Sequence, residues 1–150
     1  MIPRFGKTPL RGQSYRRRPG AYAILYRDGH LLMTHQVRPS PEYQLPGGGI
    51  DPGEGPITAL HREVFEETGF SIAAPRYLGS YRRYAYLPDY GYHAEKMCHV
   101  WLARPILRRG PPTEPHHDAC WMTPERAYRL LPDAGSRAML RRSGLIRGTA

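Results

Sequence analysis

Between Pro46 and Gly55 the chain carries five glycines and two prolines in ten residues, a composition that interrupts any regular element. The run Pro46-Gly47-Gly48-Gly49 predicts an irregular loop lasting to about Gly55. Immediately afterwards the pattern reverses. Pro56 suits the first turn of a helix, where its missing N–H would have no partner anyway. Ile57, Leu60 and Val64 repeat at three- and four-residue spacing as a core stripe, and Gly69 supplies the stop. The fold must be built around this junction of bare loop and helix.

The flanks read as strand-rich. AYAILYR and LLMTHQV surround Asp28-Gly29-His30, predicting a β-hairpin, and Tyr43-Gln44-Leu45 predicts a short strand. Ser71–Leu87, interrupted at Pro75, and His93–Ala103 read as two long antiparallel strands joined through Pro88-Asp89-Tyr90-Gly91. Residues 104–116 read as a Pro-rich loop and Ala119–Met122 as a short strand. Thr123 followed by Pro124 predicts an N-cap and a helix to about Leu131, with a last helix around Arg137–Arg142. The order predicts an α/β fold, a mixed sheet with helices on its faces.

The 150 residues suit a single domain. Residues 1–19, rich in Arg, Pro and Gly, read as a basic, extended or partly disordered arm, leaving 20–150 as the domain. No stretch approaches the roughly 18 apolar residues of a membrane span, so no membrane partner is expected. The N-terminus lacks the apolar core of a secretory signal, so a cytoplasmic location is the expectation. Cys98 and Cys120 fit neither a disulfide framework nor zinc-ligand spacing and read as reduced, buried small hydrophobes.

The formal net charge is +9, which suggests a polyanionic partner such as a nucleic acid or polyphosphate. Its distribution sharpens that. Twenty of the 22 basic residues are Arg, a bias that a GC-rich genome also produces. Residues 48–70 carry Asp51, Glu54, Glu63, Glu66 and Glu67 against Arg62 alone, a local charge of -4 that leaves +13 elsewhere. With about 100° per helical residue, Glu63, Glu66 and Glu67 lie on one side of the predicted helix. As solvated glutamates they would repel one another and leave the glycines unexplained. Beside a loop they suit a hard divalent cation, Mg²⁺ or Mn²⁺, which takes oxygen ligands and shares its shell with water and phosphate.

These residues resemble the Nudix box: glycine, five residues, Glu, seven residues, then Arg-Glu-apolar-any-Glu-Glu-any-Gly-apolar. Gly48, Glu54, Arg62, Glu63, Val64, Glu66, Glu67, Gly69 and Phe70 meet all nine specified positions. The flanking hairpin and long strands extend the resemblance, less specifically, over residues 20–131. It implies a Nudix-type α/β/α sandwich and an enzyme, a metal-dependent hydrolase of a nucleoside diphosphate linked to another moiety. By that resemblance Glu66 and Glu67 are metal ligands, and Glu63 is a further ligand or the general base. Glu54 and Arg62 brace loop against helix, and Gly47 or Gly48 offers a backbone carbonyl to the metal. Glu95, opening the last long strand, is either an extra ligand or base or an ordinary strand-edge residue. Dimers are common among similar proteins, so a homodimer is a further expectation.

The substrate signals are mixed. Tyr86, 16 residues beyond Phe70, resembles the diadenosine-polyphosphate hydrolases, whereas Pro88 with Glu95 and the strand after it resembles the ADP-sugar pyrophosphatases. Arg82 and Arg83 are candidates for phosphate and Tyr86 for a nucleobase, against the plain reading of strand surface. A small nucleotide is the favoured partner. The alternative is nucleic acid: the basic remainder, with Arg16-Arg17-Arg18, could serve an RNA 5′-pyrophosphohydrolase or a basic RNA-binding module.

Overall fold

Asp28 and Gly29 both have positive φ, 52° and 78°, and so close the two-residue turn that a twisted hairpin prefers. In a computed structural model of the chain, which describes residues 1–38 and 40–146, this turn joins β1 (Arg16–Arg27) to β2 (His30–Gln36). The remaining elements are β3 (Glu42–Gln44), β4 (Gly47–Gly49), α1 (Pro56–Thr68), β5 (Phe70–Leu87), β6 (Tyr92–Arg108), β7 (His117–Met122), α2 (Pro124–Leu130) and α3 (Ala134–Arg142). The sheet runs β3-β2-β1-β6-β5, with β4 also paired to β1 and β7 to β2. Among the described strands the β1–β6 ladder is parallel and the others antiparallel, so the sheet is mixed, as expected.

Each face buries its own core. Ala21, Ala23 and Leu25 of β1, with Trp101 and Ala103 of β6, pack against Ala59, Leu60 and Val64 of α1. The alternate residue Ile24, with Cys98 and Val100, packs against Ala127, Met139 and Leu140 of α2 and α3. Strand alternation therefore assigns every side chain of β1, β5 and β6 to one layer or the other. The result is an α/β/α sandwich.

Four sequence expectations change. Gly47–Gly49 is a short strand rather than a loop, paired Gly20↔Gly49, Ala21↔Gly48 and Tyr22↔Gly47. Ile57 is 41% exposed, so the buried stripe of α1 is Ala59, Leu60 and Val64. β6 runs on to Arg108 through the predicted loop, because its β1 ladder ends at Ala103 and Pro105 has a ladder partner only in Ile72 of β5. Pro75 does not divide β5; the ladder shifts between Ala73 and Arg76, where Ala74 has φ 52°, and a bulge absorbs the proline.

Composition alone also misplaces the start of the sheet. Arg16–Pro19, assigned to the arm, are ladder residues of β1 opposite Ala94–Met97. Upstream of them, Arg82 donates its N–H to the Pro3 carbonyl at 2.8 Å and Phe5 donates to the Arg82 carbonyl at 2.9 Å. The N-terminal segment thus lies along the outer edge of β5. Pro39, within the loop after β2, and the last four residues of the expected domain, 147–150, lie outside the described residues.

The revised helix face has a direct consequence. Leu60→Ala should cost about 2–5 kcal/mol of stability, as large-to-small core changes do, whereas Ile57→Ala should cost less than about 1 kcal/mol. Urea unfolding of both variants checks the difference.

Candidate active site

Two of the three glycines of β4, Gly47 and Gly48, stand where a side chain would collide with a neighbour. A Cβ on Gly47 would lie 2.2 Å from the Ala21 carbonyl oxygen, and one on Gly48 2.4 Å from Glu63 Oε2. Bare main chain therefore lies directly against the carboxylates of α1. The Gly47 N–H donates to Glu67 Oε1 at 3.0 Å. Glu67 is only 6% exposed, and its other oxygen is 3.4 Å from His117 Nε2 on β7.

Arg62 organises the outer half of the cluster. Its Nε and Nη2 donate to the two oxygens of Glu54 at 2.8 and 2.9 Å, a bidentate pair across loop and helix. Nη1 reaches Glu63 at 3.0 Å and Glu66 at 3.3 Å, and Nη2 also donates to the Gly49 carbonyl at 3.0 Å. Asp51 lies 3.5 Å away and donates its N–H to Glu54. One guanidinium thus ties the loop, β4 and two turns of α1 together.

The charges respond to this arrangement. Hydrogen bonds from Arg62 and from the Asp51 N–H pull the Glu54 carboxyl down to about 2. Burial pushes Glu63 above the ordinary carboxylate range, against the pull of Arg62. Burial also pushes Glu67 up to about 8, opposed by the Gly47 N–H and reinforced by Glu63, Glu114 and Glu66. Among the described residues no three His, Cys, Asp or Glu side chains form a ready cation cage; Arg62 supplies the positive charge between Glu63 and Glu66. The donor set still fits a hard divalent cation. Its side-chain donors are all oxygen, a buried carboxylate at Glu67 lacks a full counter-charge, and the glycines admit close approach of main chain.

A cavity of about 440 Å³ opens from these carboxylates across the α2/α3 face of the sheet. Its acidic end is Glu63 and Glu67; its floor carries Arg18, Arg83 and Lys96. Lys96 Nζ sits 5.7 Å from the centre of the Tyr22 ring. Arg18 donates to the hydroxyls of Tyr92 and Tyr90 at 3.1 and 2.9 Å. Arg83 lies 3.5 Å from Asp133, which caps α3 and accepts from the Tyr81 hydroxyl.

The expected site residues divide accordingly. Gly47, Glu54, Arg62, Glu63, Glu66 and Glu67 are brought together, and Arg83 reaches the same cavity. Glu95 is not: it is adjacent to Lys96 on β6 and so faces the other way, where it accepts from Arg17 at 3.1 Å and Tyr84 at 2.8 Å. Arg82 is likewise turned away, donating to the Ile2 carbonyl at 3.1 Å. Tyr86 is exposed and lines a second cavity. Sequence reasoning did not bring His117, Lys96, Tyr22 or Asp133 to this cavity, and it took Arg18 only as part of a basic run for RNA. Period-two alternation could have grouped Lys96 with Cys98, but only the β1–β6 pairing sets Arg18 and Tyr22 beside them.

A family model described as the NUDIX domain matches residues 16–142. The chain belongs to the NUDIX family. A Bacillus subtilis protein provisionally named an 8-oxo-dGTP diphosphatase is 36% identical over 64 residues, 43% of either chain. The RNA pyrophosphohydrolase of Proteus mirabilis is 34% identical over 83 residues, 55% of this chain and 44% of that one. The matches thus span less than half the length of these relatives. Among solved structures, a NUDIX hydrolase from Nitrosomonas europaea superposes with TM-score 0.71 at 17% identity, covering 86% of this chain and 89% of that one. A MutT NUDIX hydrolase from Burkholderia pseudomallei does so with TM-score 0.65 at 24% identity, covering 85% and 98%. These likenesses show the fold.

The Glu67 shift makes stability depend on pH. Between the ordinary carboxylate value and about 8 the folded chain retains a proton at Glu67 that the unfolded chain has lost, so this residue's contribution to stability falls as pH rises through that window. In metal-free buffer, Glu67→Gln should therefore gain stability over the parent at pH 8 and lose that advantage at pH 4.5 or below. Thermal melts across pH check it; equal melting differences at both ends would refute the assignment.

Proposed function

We propose that this chain hydrolyses a pyrophosphate bond in a nucleoside diphosphate linked to another moiety, with a divalent cation held by Glu63, Glu66, Glu67 and the Gly47 carbonyl. The supporting observation is the convergence of Glu63 and Glu67 on the bare main chain of Gly47 and Gly48, at the acidic end of a cavity with a cationic floor. Mg²⁺ or Mn²⁺ bound there would neutralise charge developing on the phosphate oxygens and acidify water. The chain's own groups do the rest. Arg18, Arg83 and Lys96 hold the anionic part of the substrate away from the carboxylates that would repel it. Glu63, its basicity raised by burial, takes the proton from the attacking water. The water oxygen bonds to phosphorus, the bridging P–O bond breaks, and the departing phosphate carries the electron pair. Arg62 and Glu54 act on position, holding Glu63 and Glu66 against β4.

The relatives' names widen the substrate class to nucleoside triphosphates and RNA 5′ ends, so the favoured reading is a phosphoanhydride attached to a nucleoside. RNA 5′-pyrophosphohydrolysis is the second reading, favoured by the relative of that name. A basic RNA-binding module is less well supported. Arg17 pairs with Glu95 on one face of the sheet, while Arg16, stacked on Tyr92, and Arg18, on the cavity floor, lie on the other, so the Arg16–Arg18 run does not form one continuous phosphate-binding stripe.

A panel of ADP-ribose, diadenosine polyphosphates, nucleoside triphosphates and 5′-triphosphorylated RNA, with Mg²⁺ or Mn²⁺, tests the reading. At least one should be cleaved at an anhydride, and Glu67→Gln and Glu63→Gln should each lower kcat by about 10²-fold or more with an unchanged circular dichroism spectrum. Cleavage of none, or full activity in both variants, refutes it.

A further inference from the structure

β5 stands at one end of the strand order, and residues 3–5 occupy its outer edge. The Pro3 carbonyl accepts from the Arg82 N–H at 2.8 Å and the Phe5 N–H donates to the Arg82 carbonyl at 2.9 Å, a parallel bridge centred on Arg4. Both main-chain groups of Arg82 are thereby fixed, and Arg82 is the residue between Tyr81 and Arg83. Beyond Phe5 the same segment lines the second cavity with Gly6, Lys7, Thr8 and Leu10. All of these residues precede residue 16, where the family match begins, so their contacts lie outside the matched region.

Alternation decides where the bridge acts. Arg4 is opposite Arg82, which faces away from the first cavity, so Phe5, one residue on, falls on the side of Tyr81 and Arg83. There the Phe5 ring meets the Tyr81 ring edge-on, with centres 6.0 Å apart, and packs on the core beneath α2 and α3. The Tyr81 ring has little freedom to move, since a Cβ on Gly135 would lie 2.1 Å from its Cε2 and the first turn of α3 therefore lies directly against it. Its hydroxyl donates to Asp133 and lies 3.1 Å from Ser136 Oγ. Burial pushes the phenol above its ordinary value, so it remains a donor. Asp133 also caps α3, accepting from the N–H groups of Gly135 and Ser136 at 3.2 and 3.3 Å, and its Oδ1 lies 3.5 Å from Arg83 Nη1. The contacts thus run without a break from Phe5 through Tyr81 and Asp133 to Arg83. Arg83 lines the first cavity with its side chain 34% exposed, and a long side chain so placed has rotamer freedom to lose.

We propose that Phe5 is a positioning residue for Arg83: through Tyr81 and Asp133 it holds the guanidinium on the cavity floor in the orientation that meets the phosphates of the nucleotide. This rests on the reading that the first cavity holds the anionic part of the substrate. A guanidinium already held in place gives up less side-chain freedom on binding phosphate, so the N-terminal segment tightens binding without touching the ligand. Loss of the Phe5 ring should therefore weaken binding only where Arg83 is present to be misplaced.

The test is a double-mutant cycle read by titration calorimetry in EDTA, where hydrolysis cannot interfere, with ADP as the probe, the nucleoside diphosphate unit shared by ADP-ribose, diadenosine polyphosphates and ATP. Phe5→Ala should weaken ADP binding about fivefold in the parent chain and less than about twofold in the Arg83→Ala background. Tyr81→Phe, which keeps the ring and removes the hydroxyl, should show the same dependence on Arg83. In the ligand-free chain the Arg83 Nε–H resonance, assigned by its loss in Arg83→Ala, should shift or broaden in Phe5→Ala, and the same spectrum reports whether each variant is folded. Equal losses with and without Arg83, full ADP affinity in Phe5→Ala or Tyr81→Phe while Arg83→Ala weakens binding, or an unmoved Arg83 resonance overturns the proposal and leaves the reading of the first cavity standing. A parent chain that does not bind ADP, or an Arg83→Ala variant that binds it like the parent, sinks that reading and the proposal with it.

Discussion

The site depends on one guanidinium. Arg62 contacts Glu54, Glu63, Glu66, Asp51 and the Gly49 carbonyl, and without it four acidic groups would crowd the junction of β4 and α1 with little to offset their repulsion. Its planar fork suits the task, since a bidentate grip on Glu54 leaves Nη1 free to face the helix. The same contact explains why Glu63 and Glu66 can share one side of the helix. The cluster is held together without a metal, and on the proposed reading a cation would meet carboxylates already aimed by a fixed partner.

Glu67 plays the complementary part on the inside. Its bond from the Gly47 N–H joins α1 to β4, and β4 in turn is laddered to β1, the strand at the centre of the sheet. Burial makes the ionised form costly, as the raised Glu67 value indicates. That cost favours whichever partner brings positive charge, so on the proposed reading the desolvation that weakens the fold would also favour a bound cation.

The polarity of the cavity follows from the layering. Alternation along β1, β5 and β6 sends Arg18, Tyr22, Tyr81, Arg83, Lys96 and Cys98 to the α2/α3 face and Arg17, Arg82, Tyr84 and Glu95 to the other. A one-residue slip of β6 would exchange Lys96 for Glu95 on the cavity floor. Charge that reads as an undivided excess along the chain becomes, in the fold, a cationic floor on one face and a salt-bridged surface on the other.

The sequence by itself determined the loop-to-helix junction, the carboxylate spacing and the α/β class, because these rest on residues close along the chain and on helical periodicity; the Glu54–Arg62 partnership came from the motif's resemblance to the Nudix box. It also determined the hairpin turn, where Asp28-Gly29 takes the required positive φ. Only the tertiary structure decided that the three glycines form a strand, since their ladder partner is 27 residues upstream in the Gly20↔Gly49 to Tyr22↔Gly47 register, about 29 or 25 residues at its ends. It decided likewise that Glu95 and Arg82 face away from the site, that His117 approaches Glu67, and that the N-terminal segment walls a second cavity. Each of those depends on strand register or on contacts between distant segments, and local composition carries no record of either.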